Sequence, residues 1–150
     1  MNFVKTPKQR EYTRELEERA TEFHGHGGPF MIIGLRMGLA ALDLLDSKGW
    51  FGMRCRAHLR WTPPDSCTID GIQSSTGCTM GKHNFDVEEA EGISAEFRAG
   101  EKRVRVTLRR DTLSFVRDSF DAGDEAVEKC MERLREAAVE ELFQVEQVQG

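Results

Sequence analysis

Hydrophobic and polar residues change rhythm several times along this chain, and each rhythm predicts an element. Thr6-Pro7 has the form of a helix start, with Thr6 as N-cap and Pro7 at the first helical position. Tyr12, Leu16, Ala20 and Phe23 then recur on one side, so a first helix is expected to about Glu22, ended by the glycines around His24. Pro29 opens a second helix whose apolar residues, from Ile32 to Leu45, surround it almost completely, the pattern of a central buried helix. Within it Gly34 and Gly38 lie four apart, which lets another backbone approach closely. Two settings fit that spacing: close helix–sheet packing inside one subunit, or a contact between two copies.

Beyond Gly49 the rhythm becomes strict alternation. Phe51, Met53, Cys55, Ala57, Leu59 and Trp61 alternate with Gly52, Arg54, Arg56, His58 and Arg60, which predicts a half-buried strand. Pro63-Pro64-Asp65 breaks the chain. A short helix is expected from Cys67 to Ser75, capped by Ser66, followed by a glycine-punctuated loop from Thr76 to Lys82. Strands are expected over Ile93 to Arg98 and Arg103 to Arg109, joined by a turn at Ala99-Gly100-Glu101, with a further short strand near His83 to Phe85 left open. From Asp124 to about Val145, apolar residues return to helical spacing and predict an amphipathic C-terminal helix. The order defines an α+β fold: N-terminal helices packed on a mixed or mostly antiparallel sheet, with a helix at the C-terminal end.

Length and charge narrow the function. At 150 residues the expectation is a single domain over 1–150, large enough to bury a core without staples. A net charge of −5 gives a nucleic-acid partner no global electrostatic support, and the basic run from Lys102 to Arg110 lies inside a strand pattern, where it reads as a solvated face. The longest apolar stretch, Phe30 to Leu45, is interrupted by Arg36 and Asp43 and is too short to span a bilayer, so no membrane partner is expected. The N-terminus lacks an apolar segment of signal-peptide length, which makes a cytoplasmic chain with reduced thiols the expectation. Cysteines at 55, 67, 78 and 130 match no CxxC ribbon or finger.

Candidate chemistry concentrates in two places. Phe23-His24-Gly25-His26-Gly27-Gly28-Pro29 sets two imidazoles in a break between helices, where side chains are free to converge; the bland reading is a histidine satisfied at a helix end. Cys67-Thr68-Ile69-Asp70-Gly71-Ile72-Gln73 and Gly77-Cys78-Thr79-Met80-Gly81-Lys82-His83 supply two cysteines that fall on no hydrophobic stripe, whereas Cys55 and Cys130 do and read as core. Two thiolates with one or two imidazoles suit zinc or another divalent transition metal. The second run fails as a phosphate loop, because Thr76 stands where its first glycine belongs and His83 follows Lys82. Lys82 then has two uses, holding an anionic substrate or pairing with Asp70. A nucleophilic Cys67 or Cys78 served by His24, His26 or His83 ranks below the metal reading, since no hydrolase signature surrounds either cysteine.

At these residues the chain resembles the E-subunit family of formylmethanofuran dehydrogenase. FHGHGGPF at 23–30, CTIDGIQ at 67–73 and GCTMGKHNF at 77–85 carry the likeness, in the family's order, across about residues 15 to 110. The resemblance implies an α+β domain, commonly a homodimer, with a metal site on His24, His26, Cys67 and Cys78 and with Asp70, Thr79 and Lys82 around it. It departs from the family where Gly28 replaces a cysteine and Phe30 a glycine, and it carries no C-terminal zinc-binding extension. It further implies a metal-binding accessory protein linked to one-carbon, formate or molybdenum-enzyme metabolism, with molybdenum or tungsten oxidoreductase subunits as candidate partners. The alternative is a stand-alone metal- or cysteine-dependent enzyme acting on a small anionic substrate; whether the chain is an enzyme is left open.

Overall fold

A computed structural model of the chain describes residues 6–149. Among them lie helices α1 (Arg14–His24), α2 (Pro29–Leu45), α3 (Cys67–Thr76), α4 (Arg110–Asp121), α5 (Asp124–Glu136) and α6 (Val139–Leu142). The strands are β1 (Arg54–Leu59), β2 (Phe85–Glu89), β3 (Ser94–Ala99), β4 (Lys102–Leu108) and β5 (Phe143–Gln149). They form one mixed sheet in the order β2-β1-β3-β4-β5, with β1 and β2 parallel and the remaining pairs antiparallel. Helices pack on one face of it, so the expected α+β class is the observed one.

Helix α2 is the axis of the core. Phe30, Met31, Ile32, Ile33, Leu35 and Met37 are all buried, and their partners include Ala57, Leu59, Ala95, Phe97, Val104 and Val106 on the inner sheet face. Alternation explains the other face: in β1, Arg54, Arg56 and His58 point away from the core while Cys55, Ala57 and Leu59 point in. Arg36 is the buried charged residue of this helix. Its guanidinium donates to the carbonyls of Leu134 (2.6 Å), Arg135 (3.1 Å) and Ala137 (2.6 Å), satisfying the free C-terminal carbonyls of α5.

Several boundaries differ from the sequence expectation. The first helix starts at Arg14 with Thr13 as its cap, the Thr13 Oγ1 accepting from the Leu16 amide (3.1 Å), so Thr6-Pro7 opens an irregular lead-in. Gly34 and Gly38 pack against neither the sheet nor a second copy. A Cβ on Gly34 would stand 2.1 Å from the Thr68 carbonyl oxygen, one on Gly71 2.2 Å from that of Met31, and one on Gly38 1.9 Å from Ser75 Oγ. The glycines let α2 and α3 touch backbone to backbone. Helix α4 is an addition to the elements expected from the pattern. The C-terminal amphipathic helix ends at Glu136 instead of near Val145, and residues 143–149 instead form edge strand β5 along β4.

Candidate metal centre

The α2–α3 contact brings the two candidate segments together. His24 is the last residue of α1, and Gly25 stops that helix in the left-handed region at φ 102°. His26 lies in the break before Gly28, the N-cap of α2. Cys67 is the first residue of α3 and Asp70 sits one turn later on the same helix. One ligand atom from each of His24, His26 and Cys67 falls within 4.8 Å of the others. The two imidazole centroids are 4.6 Å apart.

Hydrogen bonds assign the ring nitrogens. His24 Nδ1 lies 2.5 Å from Asp70 Oδ2, so a neutral His24 carries its proton on Nδ1 and keeps a lone pair on Nε2. That Nε2 is buried and has no hydrogen-bond partner among the described residues. His26 Nδ1 faces the Gly27 carbonyl at 3.3 Å, an acceptor-only group, which again leaves Nε2 with the lone pair. Burial, then the nearby carboxylates of Asp70 and Asp65, push the Cys67 thiol above its usual range. Asp65, almost fully buried, receives a two-point guanidinium from Arg117 on α4 (3.1 and 3.0 Å), which fixes the turn leading into α3.

Cys78 does not join this group. It follows the far end of α3, a ten-residue helix about 15 Å long. Its Sγ is fully buried, 3.4 Å from the Met53 carbonyl, and burial raises its pKa despite the Thr76 side chain and the charges of Lys82, Arg54 and Lys8. Of the four expected residues, the fold brings His24, His26 and Cys67 together and sets Cys78 apart from them. Thr79 and Lys82 lie at that same far end, tied to each other: Lys82 donates to Thr79 Oγ1 from its amide (3.2 Å) and its ammonium (3.0 Å). The second oxygen of Asp70 is held by Gln73, whose Nε2 donates to Oδ1 at 3.4 Å. Gln73 Oε1 in turn accepts the Met80 amide (3.0 Å), which links the cluster to the loop after α3. Sequence reasoning missed Gln73, although its place three residues after Asp70 on a helix carried the signal. Cys55 and Cys130 are buried in the core as expected.

Fold and cluster together define an α+β protein with a half-buried His-His-Cys constellation braced by a carboxylate. The chain belongs to the family whose model is described as FmdE, molybdenum formylmethanofuran dehydrogenase operon, which matches residues 23–149. A solved structure of a tungsten formylmethanofuran dehydrogenase FmdE-like protein from Syntrophus aciditrophicus superposes with a TM-score of 0.61, covering 97% of this chain and 77% of that one at 23% identity, a likeness of fold. A probable S-adenosyl-L-methionine-binding protein of Archaeoglobus fulgidus is 36% identical over 87 residues, 55% of this chain. The match spans only 23% of that relative's length. Among the described residues no helix is long and apolar enough to cross a membrane.

Proposed function

We propose that this chain is a metal-binding accessory protein that holds one divalent ion of the zinc class through His24, His26 and Cys67. The observation that carries the reading is His24. Its Nδ1 is committed to Asp70 while its buried Nε2 has no partner, the arrangement of a carboxylate-braced metal ligand. A buried imidazole nitrogen left without a partner is costly, and coordination would satisfy it. Three protein ligands leave the fourth tetrahedral position open to water or an exogenous donor, where a bound ion supplies Lewis acidity. Gly28 borders the cluster: a Cβ built on it would lie 3.6 Å from the His26 ring.

The cysteine-nucleophile alternative is disfavoured at Cys78 by the thiol itself. Cys78 Sγ is fully buried against the Met53 carbonyl, and burial raises its pKa, the opposite of what activates a nucleophile. A metal-dependent activity on a small anionic ligand is compatible with the open position and is the second reading. The link to one-carbon or formate chemistry, and to molybdenum or tungsten oxidoreductase subunits, is supported by the family's operon description. The reading requires a reducing compartment such as the cytoplasm, because Cys67 has to stay unoxidised to bind as a thiolate. A homodimer belongs to the reading through the family resemblance; Gly34 and Gly38 are occupied by α3 and offer it no surface.

Elemental analysis of protein purified under reducing conditions tests the reading. About one divalent ion per chain is expected, lost in Cys67→Ser and His24→Ala and retained in Cys78→Ser. Metal content unchanged in Cys67→Ser and His24→Ala, with both variants folded by circular dichroism, would sink the ligand set.

A further inference from the structure

The face of the sheet turned away from the helices carries its charges in two rows of opposite design. One row crosses all five strands as Asp86, Arg56, Glu96, Arg105 and Glu146, a strict alternation of sign set by the register. Its contacts follow, with Arg105 at 2.9 Å from Glu96 and 4.0 Å from Glu146, and Arg56 at 4.0 Å from Asp86. The adjacent row is Arg54, Arg98 and Arg103, which the register sets directly opposite one another on β1, β3 and β4. No carboxylate stands in that row; its next member, on β5, is Val148.

Like charges placed directly opposite on neighbouring strands repel, and strands about 4.8 Å apart set the backbones of these three arginines within a span of about 10 Å. Arg98 and Arg103 make no hydrogen bond or ion pair with any described residue, although the charge of Arg103 helps to hold Glu96 ionised. Arg54 is positioned by the His83 carbonyl, to which it donates at 3.2 Å. A depression of about 240 Å³ lies over the same row, lined by Arg54, Arg98 and Arg103 together with Arg56, Asp86 and Glu96. Asp86 and Glu96 belong to the alternating row and face Arg56 and Arg105 there.

We infer that the row Arg54-Arg98-Arg103 is a binding site for a multiply charged oxyanion, a phosphate group of a small molecule being the class that fits. Three arginines line one depression, and guanidinium forks match tetrahedral oxyanions in two-point contacts. The volume suits one phosphate or diphosphate group and falls below that of drug-sized ligand pockets. A nucleic acid is the poorer occupant, because the chain carries a net charge of −5 and the alternating row beside the arginines would repel an extended backbone. The site lies on the opposite face of the sheet from the helices that build the metal cluster and does not depend on it.

Calorimetric titration of the full chain with inorganic pyrophosphate, at low salt and with chloride matched for ionic strength, tests the site. Saturable binding at one equivalent is expected, weakened at least tenfold in Arg98→Thr and in Arg103→Gln and unchanged in Arg105→Gln. Thermal melts supply a second signature: without anion Arg98→Thr should melt above wild type, since repulsion in the row is relieved, and pyrophosphate should raise the melting temperature of wild type and Arg105→Gln but much less that of Arg98→Thr. Absence of saturable binding by the wild type overturns the inference. So does a response of Arg98→Thr and Arg103→Gln equal to that of the wild type, or equal loss in Arg105→Gln, which would mark a diffuse charge effect.

Discussion

At the scale of single residues, position 28 shows how much one side chain decides. Gly28 has φ −169°, extended backbone open to any residue, and a Cβ there would meet the His26 ring at an ordinary 3.6 Å. Gly28→Cys should therefore fold normally and add a fourth donor to the cluster. The expected outcome is zinc binding tightened by about tenfold or more, read by competition with a chelator, and a Co(II)-substituted protein whose visible spectrum no longer responds to added imidazole. An unchanged affinity would place the side chain away from the ion. Much of this cluster is legible in the sequence, because His24, His26 and Cys67 stand at glycine breaks and helix ends rather than on a hydrophobic stripe. The same criterion also selects Cys78, which the fold places apart from the cluster. Absence from a stripe marks a residue that the local pattern does not explain, yet it says nothing about which neighbours receive it. Cys78 is received by Met53 and Thr76 at the far end of α3, and only the tertiary fold fixes that.

At the scale of elements, the decisive contact is α2 against α3. Gly34→Ala would drive a Cβ to 2.1 Å from the Thr68 carbonyl, a main-chain atom that cannot swing aside. A loss of about 3 kcal/mol is expected, at the upper end of overpacking costs, and a melting temperature lower by about 5–10 °C. Gly52→Ala, whose Cβ would meet nothing closer than Ser47 Oγ at 4.0 Å, serves as the control and should melt close to wild type. The glycine spacing announces a close approach without naming its partner, since Gly71 completes it from a segment more than thirty residues away. Strong local patterns locate α2, α3, β1, β3 and β4 to within a few residues. Local reading fails where tertiary contacts override weak signals. Leu113, Val116 and Phe120 do carry the helical spacing of α4, but Val116 is the one among them that is buried. Leu142 and Val145 are spaced three apart, which suits a helix as well as a bend into a strand; pairing with β4 decides for the strand.

At the scale of the whole molecule, Glu17 on α1 is clamped by Arg135 on α5 (2.7 and 3.1 Å) and by the Tyr12 hydroxyl, which donates to it. Burial pushes the Glu17 carboxyl up, yet the Arg135 fork and Tyr12 outweigh it and hold the group below the usual carboxylate range. A folded pKa below the unfolded one contributes stability above the unfolded value of about 4.3, lost as pH falls through the folded value. Melting temperatures of wild type should therefore drop as pH is lowered from about 4.3, and Glu17→Gln should start lower but show a flatter acid limb. Equal acid limbs in the two proteins would exclude the clamp as an acid-sensitive tie. This clamp and the Arg36 contact both fasten α5 from residues outside the His-His-Cys cluster. Together with the main-chain contact of α2 and α3, they tie the helices through contacts that do not involve His24, His26 or Cys67. Gly34 and Gly71 set the separation of the histidine and cysteine segments whichever side chains those segments bear. Substitutions at His24, His26, Gly28 or Cys67 should therefore leave the fold standing, so that any change they make in ion binding is read on a folded protein.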